Sequence, residues 1–322
     1  IRVDGEMMPE DAVAAGLALI RARIHNWEPS PTFFEITTAL ALWWFQARDV
    51  EAIVLETGLG GRLDATNIVT PSVVVISTIA LDHEKYLGAT IEEIAREKAG
   101  IIKHGVPIIS LPQEPSVQTI LEDAARANEA PLTFVTEPWT ESSIGLPGSH
   151  QRWNAAASIL AVKNVMELQS DHGRALRDVE WPGRFQRVSG GFVLDGGHNP
   201  AAAARLAETW REESGDARAT LVLGAMRDKD LRGICAALLP IAARVFTVAV
   251  QNARAASAAE LGELVRELDT SIDCREFATV ADALEATSEY TEQKLVAGSL
   301  FLVGEAMVAL GLVESDEGAS VQ

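Results

Sequence analysis

The stretch EAIVLETGLGGRLDATN, residues 51–67, decides the fold. It begins with an apolar run of strand length and passes directly into a turn that contains Gly58, Gly60 and Gly61. Many nucleotide-binding loops begin in this way, but in them the glycines lead into a helix. Here Leu-Asp-Ala-Thr-Asn follows instead. The stretch therefore predicts a buried strand of a parallel sheet, followed by a loop that contacts something other than a pyrophosphate.

Apolar runs of strand length alternate with helical patterns along the rest of the chain. Strands are predicted at 51–56, 72–78, 106–110, 131–135, 192–195, 220–224, 244–250 and 300–304. Helices are predicted at 9–27, 32–48, 91–100, 115–130 and about 150–169. Nearly continuous apolar strands alternating with helices are typical of an α/β fold, in which a mostly parallel sheet is covered on both faces.

The alternation is interrupted at Trp181, Pro182 and Gly183 and then starts again. This break predicts two α/β domains, residues 1–181 and residues 182–322, of which the second is smaller and Rossmann-like. The last residues, ESDEGASVQ (314–322), are expected to form a frayed acidic tail.

The composition excludes several classes of protein. The chain has 322 residues and a formal net charge of −19, which argues against a nucleic-acid partner, because phosphate binding needs clustered Lys and Arg. No run of about 18 apolar residues occurs, so no membrane span is expected. Cys235 and Cys274 have no metal-ligand spacing and are consistent with a reducing, cytoplasmic location, most simply as small buried hydrophobic residues.

Polar side chains stand where predicted strands end, which is the edge where parallel sheets bind ligands. Glu56 closes the first strand, Asp82 and His83 follow the second, and Asp195 closes the first strand of the second domain. A lone carboxylate in such a position is often only a turn or cap residue, but three such strand ends favour a functional site.

Lys98 occupies an unusual place on its predicted helix. A T-x-x-E capping box at 90–93 begins the helix, and Ile91, Ile94 and Ala95 form an apolar stripe that Lys98 continues. One interpretation is a snorkelling lysine at a helix C-terminus, where the dipole favours cations. The other is a buried amine with a lowered pKa that is available for chemistry.

A second motif, DGGHNP, begins at Asp195. Asn199 and Pro200 are explained as the cap and first residue of a helix, whereas Asp195 and His198 are not. The charged run LGAMRDKD (223–230) leaves another strand in a similar way. No lysine of the chain follows a glycine, so the sequence contains no P-loop.

Taken in order, these strings resemble the folylpolyglutamate synthase/dihydrofolate synthase family, a branch of the Mur-type ATP-dependent ligases. The resemblance is carried by PTFFEITTALALWWF, LETGLGGRLDATNIV, STIALDHEKYLG, IAREKAGIIK, GSHQRWNAA, WPGRFQ, DGGHNPAAA, LGAMRDKD and GSLFLVGEA. It implies that residues 1–181 are the ATPase-type central domain and residues 182–322 the glutamate-ligase domain. The P-loop of the family is expected upstream of IRVDGE, which makes this an N-terminally truncated and, by itself, inactive form of an active ligase.

The resemblance implies a reaction in which ATP phosphorylates a carboxylate of dihydropteroate or a folate. The amino group of L-glutamate then attacks the acyl phosphate, and the protein contributes chiefly positioning and charge stabilisation. The implied cofactors are Mg²⁺, ATP as co-substrate and a carbamate on Lys98, and the implied enzyme is a cytoplasmic monomer. The Arg-Leu-Asp-Ala form of the loop favours a bifunctional enzyme.

The resemblance also assigns roles to residues of this chain. Glu56 and His83 match magnesium ligands, Lys98 matches the carbamylated lysine, and His198 has an unassigned catalytic role. The residues that match ATP-binding positions are Asn154, Arg184 and Asp195. Those that match the acceptor-binding site are Thr32, Phe33, Phe34, Glu35, Leu63, Asp64 and Ala65, although Phe33 and Phe34 could equally be core residues of their helix.

Two alternatives remain open from the sequence. One is a Mur-type ligase that builds peptidoglycan precursors, against which TFFE, the LDATN loop and DHEKYLG argue. The other is a non-catalytic folate-binding protein that lacks the P-loop.

Overall fold

The computed structural model describes residues 1–167 and 171–314. The chain divides into two compact units, Ile1–Phe134 and Val135–Gln322. The boundary predicted between residues 181 and 182 lies inside the second unit, so the domains 1–181 and 182–322 stay a prediction. Of the predicted acidic tail, 314–322, all but the first residue lies outside the described residues. No helix in the described ranges is long and apolar enough to cross a membrane.

The first unit combines a short hairpin, five α-helices, a 3₁₀ helix and a three-stranded sheet. Its elements are β1 (Arg2–Val3), β2 (Glu6–Met7), α1 (Glu10–Ile24), α2 (Phe33–Ala47), a 3₁₀ helix (Ala65–Ile68), β3 (Val74–Ile76), α3 (Glu84–Leu87), α4 (Ile91–Ala99), β4 (Ile108–Ser110), α5 (Pro115–Ala127) and β5 (Leu132–Phe134).

The sheet of the first unit is parallel, with the order β3-β4-β5. α4 connects β3 to β4 and α5 connects β4 to β5, so each connection is a βαβ unit. Ile94 of α4 and Leu121 of α5 are completely buried in one core with Ile108 of β4. This packing places the C-terminal ends of β3 and α4 within the same unit as the glycine loop.

The strand predicted at 51–56 is wrong. Residues 52–57 have no regular secondary structure, and the Val54 side chain is 97% exposed. A strand is stabilised by ladder hydrogen bonds and by burial of its faces, and within the described residues this segment has neither. Its apolar sequence alone therefore does not make it a strand.

The second unit is a six-stranded sheet with helices. Its elements are α6 (Ser149–Lys163), α7 (His172–Arg177), β6 (Gln186–Val188), a 3₁₀ helix (Ser189–Gly191), β7 (Phe192–Asp195), α8 (Pro200–Ser214), β8 (Ala219–Leu223), α9 (Leu231–Leu238), a 3₁₀ helix (Leu239–Ile241), β9 (Ala242–Val248), α10 (Ala258–Leu268), β10 (Asp273–Phe277), α11 (Val280–Ala286), a 3₁₀ helix (Thr287–Glu289), β11 (Lys294–Ala297) and α12 (Leu300–Ala309).

The strand order is β10-β9-β8-β11-β7-β6, and every pair is parallel except β6 with β7. Consecutive residues of a strand face opposite sides of the sheet and pack into different cores. Val193 packs with α8 and α9, whereas Leu194 packs with α11 and α12. The sheet is thus covered on both faces, and the predicted α/β class with a mostly parallel sheet is confirmed.

The strand predicted at 300–304 is also wrong, because this segment begins α12. Ser299 caps the helix by accepting a hydrogen bond from the Leu302 N–H, and Gly298, at φ 120°, separates the helix from β11. A short apolar run is compatible with a buried helix as well as with a strand, and here the cap decides. β1, β2, β6, β10 and β11 are not among the predicted strands. The helix predicted at about 150–169 ends at Lys163, and residues 168–169 of that prediction lie outside the described residues.

Candidate active site

The two predicted walls of the acceptor site meet in the first unit. A β-carbon added to Gly58 would lie 2.5 Å from Cζ of Phe34, so the glycine loop runs directly under that ring. Phe33 is 82% exposed, which rules out a core role for it, and Phe34 is 39% exposed. Leu63, on the loop, is 80% exposed. Exposed aromatic and aliphatic groups beside a glycine are a suitable surface for a flat, apolar ligand.

Thr32 and Glu35 form the capping box of α2. The Glu35 N–H donates to Thr32 Oγ1 at 3.2 Å, and Oε2 of Glu35 accepts from the Thr32 N–H at 2.7 Å and from its hydroxyl at 2.8 Å. These bonds hold the pKa of Glu35 below its usual value. Both residues are explained by helix initiation, and their role in substrate binding stays a prediction.

Asp64 organises the glycine loop from within. Its Oδ2 accepts from the Leu59 N–H at 2.8 Å, and its Oδ1 accepts from the N–H and hydroxyl of Thr66 at 2.9 and 2.6 Å. Asp64 thereby caps the 3₁₀ helix that begins with Ala65. The carboxylate closes the loop on itself, which presents Leu63 at the surface.

The loop lies on the C-terminal end of α4, the helix that carries Lys98. A β-carbon on Gly61 would lie 2.8 Å from the carbonyl oxygen of Glu97 and 2.9 Å from that of Lys98. The Arg62 N–H donates to the same Glu97 carbonyl at 2.8 Å, and the Arg62 guanidinium pairs with the Glu97 carboxylate at 3.0 Å. Gly60, at φ 69°, needs the left-handed region that glycine tolerates best. The glycines of this loop therefore permit close contact with a helix.

Lys98 is half-buried, while Ile94 and Ala95 of the same stripe are completely buried. Burial lowers the pKa of the Lys98 ammonium, and the nearby Asp82 carboxylate raises it by a smaller amount. This balance favours an amine of reduced basicity over a fully solvated snorkelling lysine. Asp82 was noted in the sequence only as a strand-end residue, and its proximity to Lys98 is a tertiary contact that no local pattern shows.

His83 follows Asp82 with a left-handed backbone at φ 54°. The His83 N–H donates to Asp82 Oδ1 at 2.7 Å, and its Nε2 lies 3.8 Å from Asp82 Oδ2. Backbone strain at a non-glycine residue is often retained where function requires it. Asp82, whose charge acts on Lys98, thus also accepts a hydrogen bond from the backbone of His83.

Glu56 lies in the irregular segment that precedes the glycine loop and is exposed. Among the described residues no three His, Cys, Asp or Glu side chains come together as a metal site. The predicted set contains two such side chains, those of Glu56 and His83, and it stays a prediction. Its donor chemistry, one carboxylate and one imidazole with open positions for other oxygens, is compatible with Mg²⁺.

In the second unit, Asp195 joins the end of β7 to the WPGRF segment. Its Oδ1 accepts from the Gly197 N–H at 2.8 Å and its Oδ2 from the Phe185 N–H at 2.9 Å. Burial raises the pKa of Asp195, against these hydrogen bonds and the charge of Arg184, which lower it. Phe185 is held at φ 44°, so the carboxylate maintains a strained turn that presents the exposed Arg184.

The other predicted residues of this unit lie on neighbouring elements. The His198 ring is 3.0 Å from the Gly196 carbonyl oxygen through Nδ1, in the turn before α8. Asn154, on α6, is exposed and donates to Gln151 Oε1 at 2.9 Å. The structure brings Arg184, Asp195 and His198 to one strand end, and their roles toward ATP stay predictions.

His150 was not among the predicted site residues, but its charge interacts with that of Asp195. Burial lowers its pKa, and the charge of Arg205 lowers it further, while Asp195, Glu212 and Glu208 raise it. Its interaction with Asp195 makes it a further candidate for this site. The signal was present, because His150 belongs to the string GSHQRWNAA.

The charged run after β8 is held by an ion pair. Arg227 donates to both carboxylate oxygens of Glu260, at 3.2 and 3.0 Å. Glu260 also closes the capping box of α10 with Ser257, and the pKa of Glu260 is lowered to about 2, chiefly by Arg227. This pair anchors the loop that leaves β8.

Residues 183–302 match the family model described as Mur ligase, glutamate ligase domain. With the fold of the second unit, this match defines a ligase domain of the Mur type. The chain is 33% identical to the dihydrofolate synthase/folylpolyglutamate synthase of Bacillus subtilis, over 85% of this chain and 71% of that protein. The chain belongs to the dihydrofolate synthase/folylpolyglutamate synthase family, as the sequence motifs predicted.

A second relative is the probable bifunctional folylpolyglutamate synthase/dihydropteroate synthase of Halobacterium salinarum, which is 36% identical over 86% of this chain. The chain spans 37% of that protein's length.

Two solved structures have the same fold. E. coli FolC in complex with DHPP and ADP is similar with a TM-score of 0.85 and 30% identity, covering 98% of this chain and 79% of that one. The Yersinia pestis bifunctional folylpolyglutamate synthase/dihydrofolate synthase complexed with AMPPNP and Mn is similar with a TM-score of 0.84 and 29% identity. It covers 96% of this chain and 78% of that one.

Proposed function

We propose that this protein forms an amide bond between L-glutamate and the carboxylate of dihydropteroate or a folate, using ATP to make an acyl phosphate. The observation that carries the proposal is the glycine loop of the first unit. It touches Phe34 on one side and the Lys98 turn of α4 on the other. An acceptor lying against that loop would be close to the amine-bearing helix. Membership of the family and the DHPP and ADP bound to E. coli FolC support this assignment.

The chemistry of the first unit follows from its side chains. Phe33, Phe34 and Leu63 would bind the pterin ring by stacking and apolar contact. Glu56 and His83 would hold Mg²⁺, which supplies charge neutralisation for the transferred phosphoryl group. Lys98 has a lowered pKa and so a larger neutral fraction, which is the form that takes up CO₂ as a carbamate.

The second unit would bind the nucleotide. Arg184 presents a planar guanidinium that suits phosphate oxygens. Asp195 would act mainly by holding the Arg184 turn through its two backbone hydrogen bonds, because both carboxylate oxygens are engaged. Asn154 and His198 would contact the nucleotide or the incoming glutamate.

The function is tested on the protein in the form that its natural host produces. The assay measures ADP release and the mass of the amide product. The substrates are ATP and L-glutamate with dihydropteroate or tetrahydrofolate, and in parallel a UDP-muramyl peptide precursor. We expect ligation with the first two acceptors only. ADP release with the UDP-muramyl acceptor alone would assign the peptidoglycan ligase alternative. Binding of folate without ADP release would assign the non-catalytic alternative.

A matched pair of variants connects the activity to the proposed site. Arg184→Ala is expected to raise KM for ATP by about tenfold to a hundredfold, the usual range for a lost charge-assisted contact. Arg232→Ala is the control, because Arg232 is exposed and pairs with Glu267 at 3.0 Å on another surface. Equal ATP kinetics in the two variants would remove Arg184 from the site.

A further inference from the structure

We infer that Asn67 is a positioning residue, which locks the glycine loop to the C-terminal end of α4 so that the acceptor wall and Lys98 move as one body. The identity of the acceptor rests on the proposed function. The lock itself rests only on contacts within the first unit.

The Asn67 side chain joins the two segments directly. Its Nδ2 donates to the carbonyl oxygen of Arg62, in the loop, and to that of Gly100, at the end of α4, both at 3.0 Å. A carboxamide has two N–H donors, and here both are used. The main-chain carbonyl of Asn67 accepts from Lys103 Nζ at 3.0 Å. The residue therefore bonds to loop and helix end at once.

The loop in turn acts as the C-terminal cap of α4. The last carbonyls of a helix have no partner within it and need one from elsewhere. Here the Arg62 N–H supplies one to Glu97 and the Asn67 amide supplies one to Gly100. Gly61 lies against the carbonyls of Glu97 and Lys98 with no room for a β-carbon. The backbones of loop and helix are thus in direct contact on both sides of Lys98.

The hydrogen bonds of Asn67 contribute more to the contact between loop and helix than the Arg62–Glu97 ion pair does. The Arg62–Glu97 pair is open to solvent, with side chains 55% and 27% exposed, and such pairs contribute little. The bond from Asn67 to Gly100 is partly buried, so its loss would leave a carbonyl with poor access to water. Leu63 and Asp64 directly follow Arg62 in the chain, so a loosened loop would shift the acceptor wall relative to Lys98.

The test compares three variants, each introduced into the protein in the form that its natural host produces. Asn67→Ala removes both donors, and Asn67→Asp keeps the shape but turns an oxygen toward two carbonyls. Asn128→Ala is the control, because Asn128 also donates its amide to a helix carbonyl, that of Ala124 at 2.8 Å, on α5 of the same unit. We expect kcat with either acceptor to fall at least about tenfold in both Asn67 variants, since small misplacements of reacting groups carry penalties of this size. KM for ATP is expected to stay within about twofold, because the residues proposed to bind ATP belong to the second unit.

Hydrogen exchange tests the lock independently of catalysis, while the fall in kcat at unchanged KM is the readout that a merely structural role would not move. In Asn67→Ala, the amides of 61–67 and of 97–103 should exchange faster to the same extent, while those of 124–128 stay unchanged. Faster exchange in the loop alone, or an Asn67→Asp variant with parental kcat, would overturn the inference. If the parent shows no ligation at all, the proposed function fails, yet the exchange experiment still decides whether Asn67 locks the two segments.

Discussion

Replacing Lys98 by methionine is expected to stabilise the first unit while abolishing ligation. The Lys98 amine is half-buried on the apolar stripe of α4, and burial has a larger effect on its pKa than the attraction of Asp82. Its charged form is therefore less favourable in the folded chain than in the unfolded chain. Methionine has a similar length and no charge, so it fills the same space without that cost. A residue whose removal improves stability and destroys activity is kept for function.

The expected gain is small, at most about 1 kcal/mol. The electrostatic part favours methionine. Burial lowers the pKa of Lys98 more than the Asp82 carboxylate raises it, so the charged lysine is destabilised in the folded chain. The apolar part adds about 0.8 kcal/mol for each methylene-sized group removed from water. Loss of a cation from the C-terminal turn of a helix subtracts about 0.3–1 kcal/mol. For a unit of this size such a gain corresponds to a rise in Tm of no more than about 4 °C.

The gain depends on pH with a defined sign. Because the folded pKa of Lys98 lies below 10.5, the parent becomes more stable as pH rises from that lowered pKa to 10.5. The electrostatic part of the advantage of Lys98→Met is therefore complete below the folded pKa and disappears as pH approaches 10.5, while the apolar part remains.

The assay is thermal denaturation at pH 7 and pH 10, with a chelator and without added bicarbonate or nucleotide. Lys163→Met is the matched control, because Lys163 lies in the last turn of α6 but is exposed. The Lys163→Met variant should lose the interaction of a cation with the helix end, but it removes no buried charge. It should therefore be slightly less stable than the parent. A Lys98→Met protein that melts below the parent at pH 7 would refute the argument.

Two further predictions concern the second unit. Asp195→Asn leaves either the Phe185 or the Gly197 N–H facing an amide nitrogen, which should lower the free energy of unfolding by about 1–3 kcal/mol in urea denaturation at pH 7. Since the pKa of Asp195 is raised, the parent gains stability as pH falls toward 3.8, so this gap should widen on acidification, and a constant gap would contradict it. Glu260→Gln should remove the loss of stability that the parent shows as pH falls from 4.5 to about 2, because the Arg227 pair holds the pKa of Glu260 that low. If the Glu260→Gln variant loses stability at acidic pH as much as the parent does, other carboxylates cause that loss.

The alternation of strands and helices was predictable where burial and local pattern agree. The strand predicted at 192–195 is β7 with the same bounds, because all of it lies in a covered sheet. The segment 51–56 has the same kind of sequence but no ladder partner in the described residues, and propensity cannot supply one. The run 300–304 was ambiguous at strand length, and the cap at Ser299 made it a helix.

The candidate site was predictable as far as it depends on position along an element. The place of Lys98 on an apolar stripe and of Asp195 at a strand end both follow from spacing, and the structure places them there. The proximity of Asp82 to Lys98 and of His150 to Asp195 depends on how separate elements pack, which no local window contains. The glycine loop shows the same limit, since its partner, the end of α4, lies some 35 residues further along the chain, the separation of Arg62 and Glu97.

The irregular apolar segment at 52–57 bears on how the protein behaves when it is concentrated. Val54 lies almost wholly in water, and Val75 of the neighbouring sheet is 44% exposed. An exposed and unpaired segment of this composition is a template on which another molecule can add a strand. Dilute storage and a highly soluble fusion partner are therefore the conditions under which purified material should stay dispersed long enough for kinetic work.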